Sequence, residues 1–358
     1  MNTRVWAIAV SLIVVLGAQS VGFASGTQLG ESLKNFSGIY YVTIGPEPLY
    51  TMEIDQTGTT VAFAISGSDV SFEGIGSVSG QTMHLSADLP DIGEFEAVFA
   101  FAEDGESFSG AWEIDGWSPQ TGTITGSRTP WPEYDVDALG VPMLAQADCI
   151  ALEMILRVSK FRSGEGHDYS DDFEMCRSMK HYFVPKNGVG GSSVHLYSPV
   201  NGTVVGTTEE WEGPDSWTGT AIGIRPTANE AFYFVIYHAD LDRPLAPDDL
   251  VTAGQVLGTG LEDSGAVADI AVGVHTPYGH RLVSFYEAVS MAVYARYVAR
   301  GVRSRSDFVI AQDERDADSL ICNDGEFVNS GSLENWLVLD GGPPGPHRPT
   351  RRASPVSR

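Results

Sequence analysis

Residues 50–66, YTMEIDQTGTTVAFAIS, decide the fold. Tyr50, Met52 and Ile54 alternate with polar neighbours, Gln56-Thr57-Gly58 interrupts them, and Val61, Phe63 and Ile65 resume the alternation. Successive side chains on a strand point to opposite faces, so a period of two describes two half-buried strands joined by a turn. The pattern spreads outward from there. Phe95, Ala97, Phe99 and Phe101 repeat it before Asp104-Gly105. Between Gly38 and Arg128, about eight such segments separated by glycine turns predict a small antiparallel barrel or sandwich. The chain is therefore expected to be mainly β, with an N-terminal antiparallel β-meander domain over 36–130.

Thr129-Pro130-Trp131-Pro132 ends the meander, because two prolines within three residues remove ladder donors and favour an extended linker, placed at 131–142. Apolar spacing predicts a helix from Met143 to Arg162, strands through Val194 to Val274, and a second helix over Phe285 to Arg300. This second domain spans 143–340. The tail 341–358, rich in proline and arginine, has no apolar periodicity and is expected to be disordered. At the other end, Arg4, the apolar run Val5 to Leu16 and the small residues Gly22 and Ala24 predict a signal peptide over 1–24, hence a secreted or periplasmic, cell-envelope location. No later stretch is apolar enough for a membrane span after signal cleavage. With 47 acidic and 21 basic side chains the formal charge is −26, which excludes nucleic acid as a partner. Cys149 sits among Ile150, Leu152 and Ile155 and is expected to be a buried thiol; Cys176 is paired with Cys322 as a working hypothesis, since sequence alone does not fix connectivity.

The chemistry concentrates in the second domain. His167 and Asp171 stand four residues apart, a spacing that lets two ligands converge on one zinc ion. Trp211 and Trp217 flank a polar loop and are binding candidates, as exposed aromatics that stack on sugars or peptides. In Cys176 to Phe183, the residues Arg177, Lys180 and His181 are candidates for contacting an anionic ligand. The tripeptides Phe36-Ser37-Gly38, Phe72-Glu73-Gly74 and Phe108-Ser109-Gly110 loosely resemble lipocalin-like barrels, which implies small-molecule binding by the N-terminal barrel; a barrel filled by its own aromatics is the competing expectation.

Residues 160–290 resemble the lysostaphin-type (LytM-like) zinc metallopeptidases, which have the duplicated-hybrid-motif fold and cut peptide crosslinks of bacterial cell wall. The resemblance runs through His167-x-x-x-Asp171, Ser198-Pro199-Val200-Asn201-Gly202-Thr203-Val204, Ile236-Tyr237-His238, and Asp248-Asp249-Leu250-Val251-Thr252-Ala253-Gly254-Gln255-Val256-Leu257-Gly258. It implies a lysostaphin-type β domain with added helices, in which His167 and Asp171 are zinc ligands and His238 is a catalytic histidine. The last ligand strand departs from the family. Where the family carries His-x-His, this chain reads Asp269-Ile270-Ala271. Asp269 can still offer an oxygen, leaving an incomplete metal set of His167, Asp171 and Asp269 with zinc weak or absent and calcium or magnesium as rivals. His275 is too far along the strand to substitute, and His280 is expected at the surface.

The expected function is a non-catalytic envelope or peptidoglycan-binding module whose partner is a cell-wall peptide or glycan, or an envelope hydrolase. The alternatives are an active zinc endopeptidase with an atypical His/Asp/Asp site, and a carrier barrel.

Overall fold

The alternation closes into a barrel. Strands β1 (Gly38–Ile44), β2 (Glu47–Thr57), β3 (Thr60–Ser66), β4 (Ser71–Ser79), β5 (Thr82–Leu89), β6 (Gly93–Phe101), β7 (Ser107–Gly116) and β8 (Gln120–Ser127) each pair antiparallel with the next, and β8 pairs back onto β1. In this computed structural model the described residues are 34–339, except 68–69, 91, 214–215, 262–264 and 324. The leader expected over 1–24 and the tail expected over 341–358 lie outside them. Aromatic side chains fill the barrel: Phe36 stacks on Phe101 at 3.9 Å, Phe99 stacks on Phe108 at 4.1 Å, and Tyr40, Phe95 and Trp112 are buried beside them. The expectation of a barrel packed by its own rings describes this interior.

The second half adds an antiparallel sheet. Its strands are β9 (Ile155–Ser159), β10 (His181–Pro185), β11 (His195–Tyr197), β12 (Gly202–Trp211), β13 (Trp217–Pro226), β14 (Phe232–Leu241), β15 (Leu250–Val251), β16 (Val256–Gly260), β17 (Ala268–Thr276) and β18 (Gly279–Val283). Its centre runs β12-β13-β14-β17, and β17 continues to β10 through its first half and to β18 through its second. Residues 232–237 of β14 are buried on both faces. Phe232, Phe234 and Ile236 enter the main core with Ile270, Val272 and Phe285, while Tyr233, Val235 and Tyr237 form a second cluster with Ala271 against the barrel residue Leu49.

The barrel and this sheet are joined by hydrogen bonds. Thr208 and Glu209 of β12 pair with Gly122 and Thr121 of β8. The two-residue turn Gly45-Pro46 lies across β12 and β13: a Cβ on Gly206 would stand 1.8 Å from the Gly45 carbonyl oxygen, and one on Gly223 would stand 2.0 Å from that of Pro46. Glycine at these two positions is what permits the approach.

The helix expected from Met143 to Arg162 is absent. This stretch is extended apart from a short 3-10 turn at Leu152–Met154 and strand β9. Cys149, Ile150, Ala151 and Leu152 are all buried, so no single stripe faces the core, and the backbone instead bridges to neighbours, Ala145 to Val289 and Ile150 to Leu196. Because Val289 is used in that bridge, the second expected helix is broken into Phe285–Ala288 and Met291–Val298, the latter capped by Ser290. Cys176 and Cys322 form the disulfide and Cys149 is a buried free thiol, as expected.

Asp148 is buried beneath the Met291–Val298 helix, 2.5 Å from the Tyr297 hydroxyl and 3.0 Å from Arg296. Burial, outweighing both partners, pushes its carboxyl up to about 6 from 3.8. The folded chain therefore holds this proton more tightly than the unfolded chain, and the group adds stability as pH falls from about 7 to about 4, on the order of 3 kcal/mol. Asp148→Asn should be more stable than the wild type near neutral pH and equal to it near pH ~4. Urea midpoints at the two pH values check this; a constant difference would mean Asp148 is not the titrating group.

Candidate functional site

Strand β10 and its approach place alternate side chains on opposite faces. His181 points into the core, where its ring nitrogens meet Ser159 O and Ser284 Oγ, both at 2.8 Å. Lys180 and Tyr182 point the other way, toward β17, where Tyr182 is directly opposite Asp269. The Lys180 ammonium is buried 3.3 Å from Asp269 Oδ2, over the rings of Tyr237 (3.7 Å to the centroid) and Tyr169 (4.4 Å). Desolvation lowers its pKa, but the carboxylates of Asp269, Glu210 and Glu47 contribute to a net rise above the ordinary lysine value. The balance favours the charged ammonium in its buried position.

Of the residues expected to serve a metal or catalysis, His238 and His167 lie near it and Asp171 does not. His238 Nε2 lies 3.9 Å from Asp269 Oδ1, and its Nδ1 lies 3.6 Å from Glu210 Oε2. Burial opposes the charge on His238, but Asp269 and Glu210 together raise its pKa. Its backbone has φ 60°, and on β13 only Ala221 lies between the partners of Ile236 and Ala239. That bulge explains how two consecutive residues, Tyr237 and His238, both serve the site, since an extra residue re-aims a side chain. His167 stands at the rim. The Lys180 charge, then desolvation, push its pKa down to about 4, so its ring is neutral near pH ~7.

Asp171 does not take part. Its Oδ1 accepts from the amides of Phe173 and Glu174, and its Oδ2 from that of Leu282, each at 2.9 Å, so it fastens a turn to β18. Among the described residues, the only three potential ligand atoms found within 4.8 Å of one another belong to Asp168, Cys176 and Cys322, and the two sulfurs are spent in the disulfide. The expected set His167, Asp171 and Asp269 does not converge as a metal cage. Ala271 shares the face of Asp269, as expected, and packs among Tyr233, Val235 and Tyr237.

Glu47 and Glu210 were missed by sequence reasoning, and Lys180 was assigned a different role. Glu47 comes from the barrel: its Oε1 accepts from the Tyr169 hydroxyl and lies 2.6 Å from that of Tyr237. Its only sequence mark is a glycine-proline turn just before it. Lys180 was expected to meet an anionic ligand, together with Arg177 and His181; instead Arg177 pairs with Glu174 and Asp316, and all three are used internally. Trp211 and Trp217 face each other across the end of the β12-β13 hairpin, Trp217 being 38% exposed. Gly213 at that tip donates its amide to Ser118, beside a third tryptophan, Trp117, which is 80% exposed. His280 is not a free surface residue, since its Nε2 lies 2.6 Å from the Tyr233 hydroxyl.

No protein-family model matches the chain, and no curated protein matches it in sequence. Among solved structures, Csd3 of Helicobacter pylori in an orthorhombic crystal aligns over 78% of this chain and 79% of that one, with TM-score 0.27 and 11% identity. A zinc-containing peptidase from Vibrio cholerae aligns over 67% and 85%, with TM-score 0.26 and 10% identity. Similarity this low carries no argument about activity, which is taken from the residues themselves.

Removing one member of a buried ion pair costs about 3–5 kcal/mol, while replacing both with apolar groups is often close to neutral. Lys180→Met should therefore lose about that much stability, and the double variant Lys180→Met with Asp269→Leu should recover most of it. Urea denaturation of the four proteins is the check, and simple additivity would show that the two side chains are not coupled.

Proposed function

We propose that this chain is a non-hydrolytic, peptidase-like module of the cell envelope that binds cell-wall peptide or glycan. The observation that carries the reading is the Lys180 ammonium amid the groups expected at the metal, with Asp269 and His238 beside it and the electrostatics of His167 dominated by it. A divalent cation about 4 Å from that ammonium would be repelled by roughly 8 kcal/mol at an effective dielectric of about 20, twice the unit-charge value. The residues present therefore do not fit zinc, calcium or magnesium while Lys180 is charged. Metal-assisted hydrolysis also needs an open coordination position with a polarised water. Here the ammonium, its two tyrosines and the barrel's Glu47 are packed against one another beside Asp269.

Export through a cleaved leader belongs to the same proposal, and the Cys176–Cys322 disulfide supports it, since such bonds persist in oxidising compartments. Binding is assigned to the hairpin tip carrying Trp211 and Trp217, whose rings can stack on sugar or peptide.

Elemental mass spectrometry of the dialysed protein should find no stoichiometric metal, and digestion of purified wall material should be the same with and without chelator. Retention on sedimented peptidoglycan should fall several-fold when Trp211 and Trp217 are both changed to Ala. One zinc per chain, lost in His167→Ala, would overturn the proposal in favour of an active metallopeptidase; retention indifferent to the tryptophans would remove their assignment.

A further inference from the structure

A second cleft, of about 340 Å³, opens where the barrel, the linker and the β17-β18 turn meet. It is lined by Tyr41 of β1, Trp131 and Glu133 of the linker, Asp172, and His275 and His280 on either side of the turn. That volume is at the lower end for small-molecule sites, which run to about 300–1,000 Å³.

The chemistry of its walls is one-sided. Trp131 stacks flat on His275, with ring centroids 4.6 Å apart and planes 8° from parallel, and Tyr41 meets the Trp131 ring edge-on at 5.4 Å. Glu133 is exposed. Asp172 Oδ2 accepts from the His280 amide at 2.7 Å, and Oδ1 has no protein partner among the described residues. Among the described residues, no lysine or arginine lines the cleft. The two imidazoles add no positive charge near neutrality: burial, then Arg225, pushes His275 down to about 4, and burial, then His275, pushes His280 down to about 3. The Nε2 of His275 is buried without a hydrogen-bond partner. Aromatic rings beside two carboxylates, with no lysine or arginine among the lining residues, suit an alkylammonium group, since ring quadrupoles and carboxylates both attract it. The chain's charge of −26 favours its approach.

We propose that this cleft binds a small organic cation through an ammonium head seated against Trp131 and Tyr41 and neutralised by Glu133 and Asp172. The site lies apart from the Lys180 cluster, so the proposal does not depend on the function argued above.

The test is calorimetric titration of the full chain at physiological ionic strength with choline, with its neutral isostere 3,3-dimethylbutanol, and with N-acetylglucosamine. Choline should bind saturably and at least about tenfold more tightly than the isostere, the difference that about 1.4 kcal/mol of cation–aromatic and charge attraction produces. Glu133→Gln, a change at an exposed side chain that should leave the fold intact, should weaken choline binding about fivefold or more, and Trp131→Ala should abolish it. Equal affinity for the isostere, a preference for the sugar, absence of saturable choline binding, or choline binding untouched by Glu133→Gln would each overturn the proposal.

Discussion

A lysine ammonium held away from water is the constraint on which the candidate site depends. Asp269, 3.3 Å away, favours the charged form of Lys180, and the carboxylates of Glu210 and Glu47 add to the field. The dependence is mutual. Asp269 lies near the start of β17, flanked by β10 and β14, and a lone carboxylate there would face a desolvation cost of several kcal/mol. Lys180 also sets its neighbours: it is the largest influence lowering His167, and it opposes the carboxylates that raise His238. Loss of the charge at this one position would therefore shift the pKa of both histidines upward.

The barrel is part of the same construction. Its Gly45-Pro46 turn rests on Gly206 and Gly223, with no room for a Cβ at either, and this contact aligns Glu47 with the hydroxyls of Tyr169 and Tyr237. Those two rings are the ones lying against the ammonium. Backbone packing at two glycines on one sheet is thus converted into a hydrogen bond that orients the aromatic walls of a buried charge on another strand. The β8-β12 ladder holds the two parts in register while this happens.

The barrel was legible in the sequence because its strands are local, alternating and joined by short turns, so each hairpin announces itself. The stretch from Met143 to Arg162 misled for the opposite reason. Its apolar spacing suits a helix, yet Ala145 and Ile150 bridge to residues remote in the chain, and remote partners leave no local trace. The site was half legible. Alternation correctly put Asp269 and Ala271 on one face, but Asp171 could not be recognised as a turn-capping carboxylate without seeing the Leu282 amide that binds it. His238 looked out of step with its neighbours because sequence does not display a β-bulge. Glu47 was invisible, being separated from Tyr237 by 190 positions.

The difference between a tethered cation and an exchangeable one gives the arrangement its chemical meaning. A metal ion brings empty coordination positions and can polarise a bound water; an ammonium offers only three donors and no open position. Both neutralise clustered carboxylates, and Asp269, Glu210 and Glu47 all act on Lys180. The lysine therefore contributes to the charge balance of the cluster that lies between β10, β14 and β17. On the reading proposed above, ligands are therefore to be sought at surfaces along the rim rather than at the charged centre.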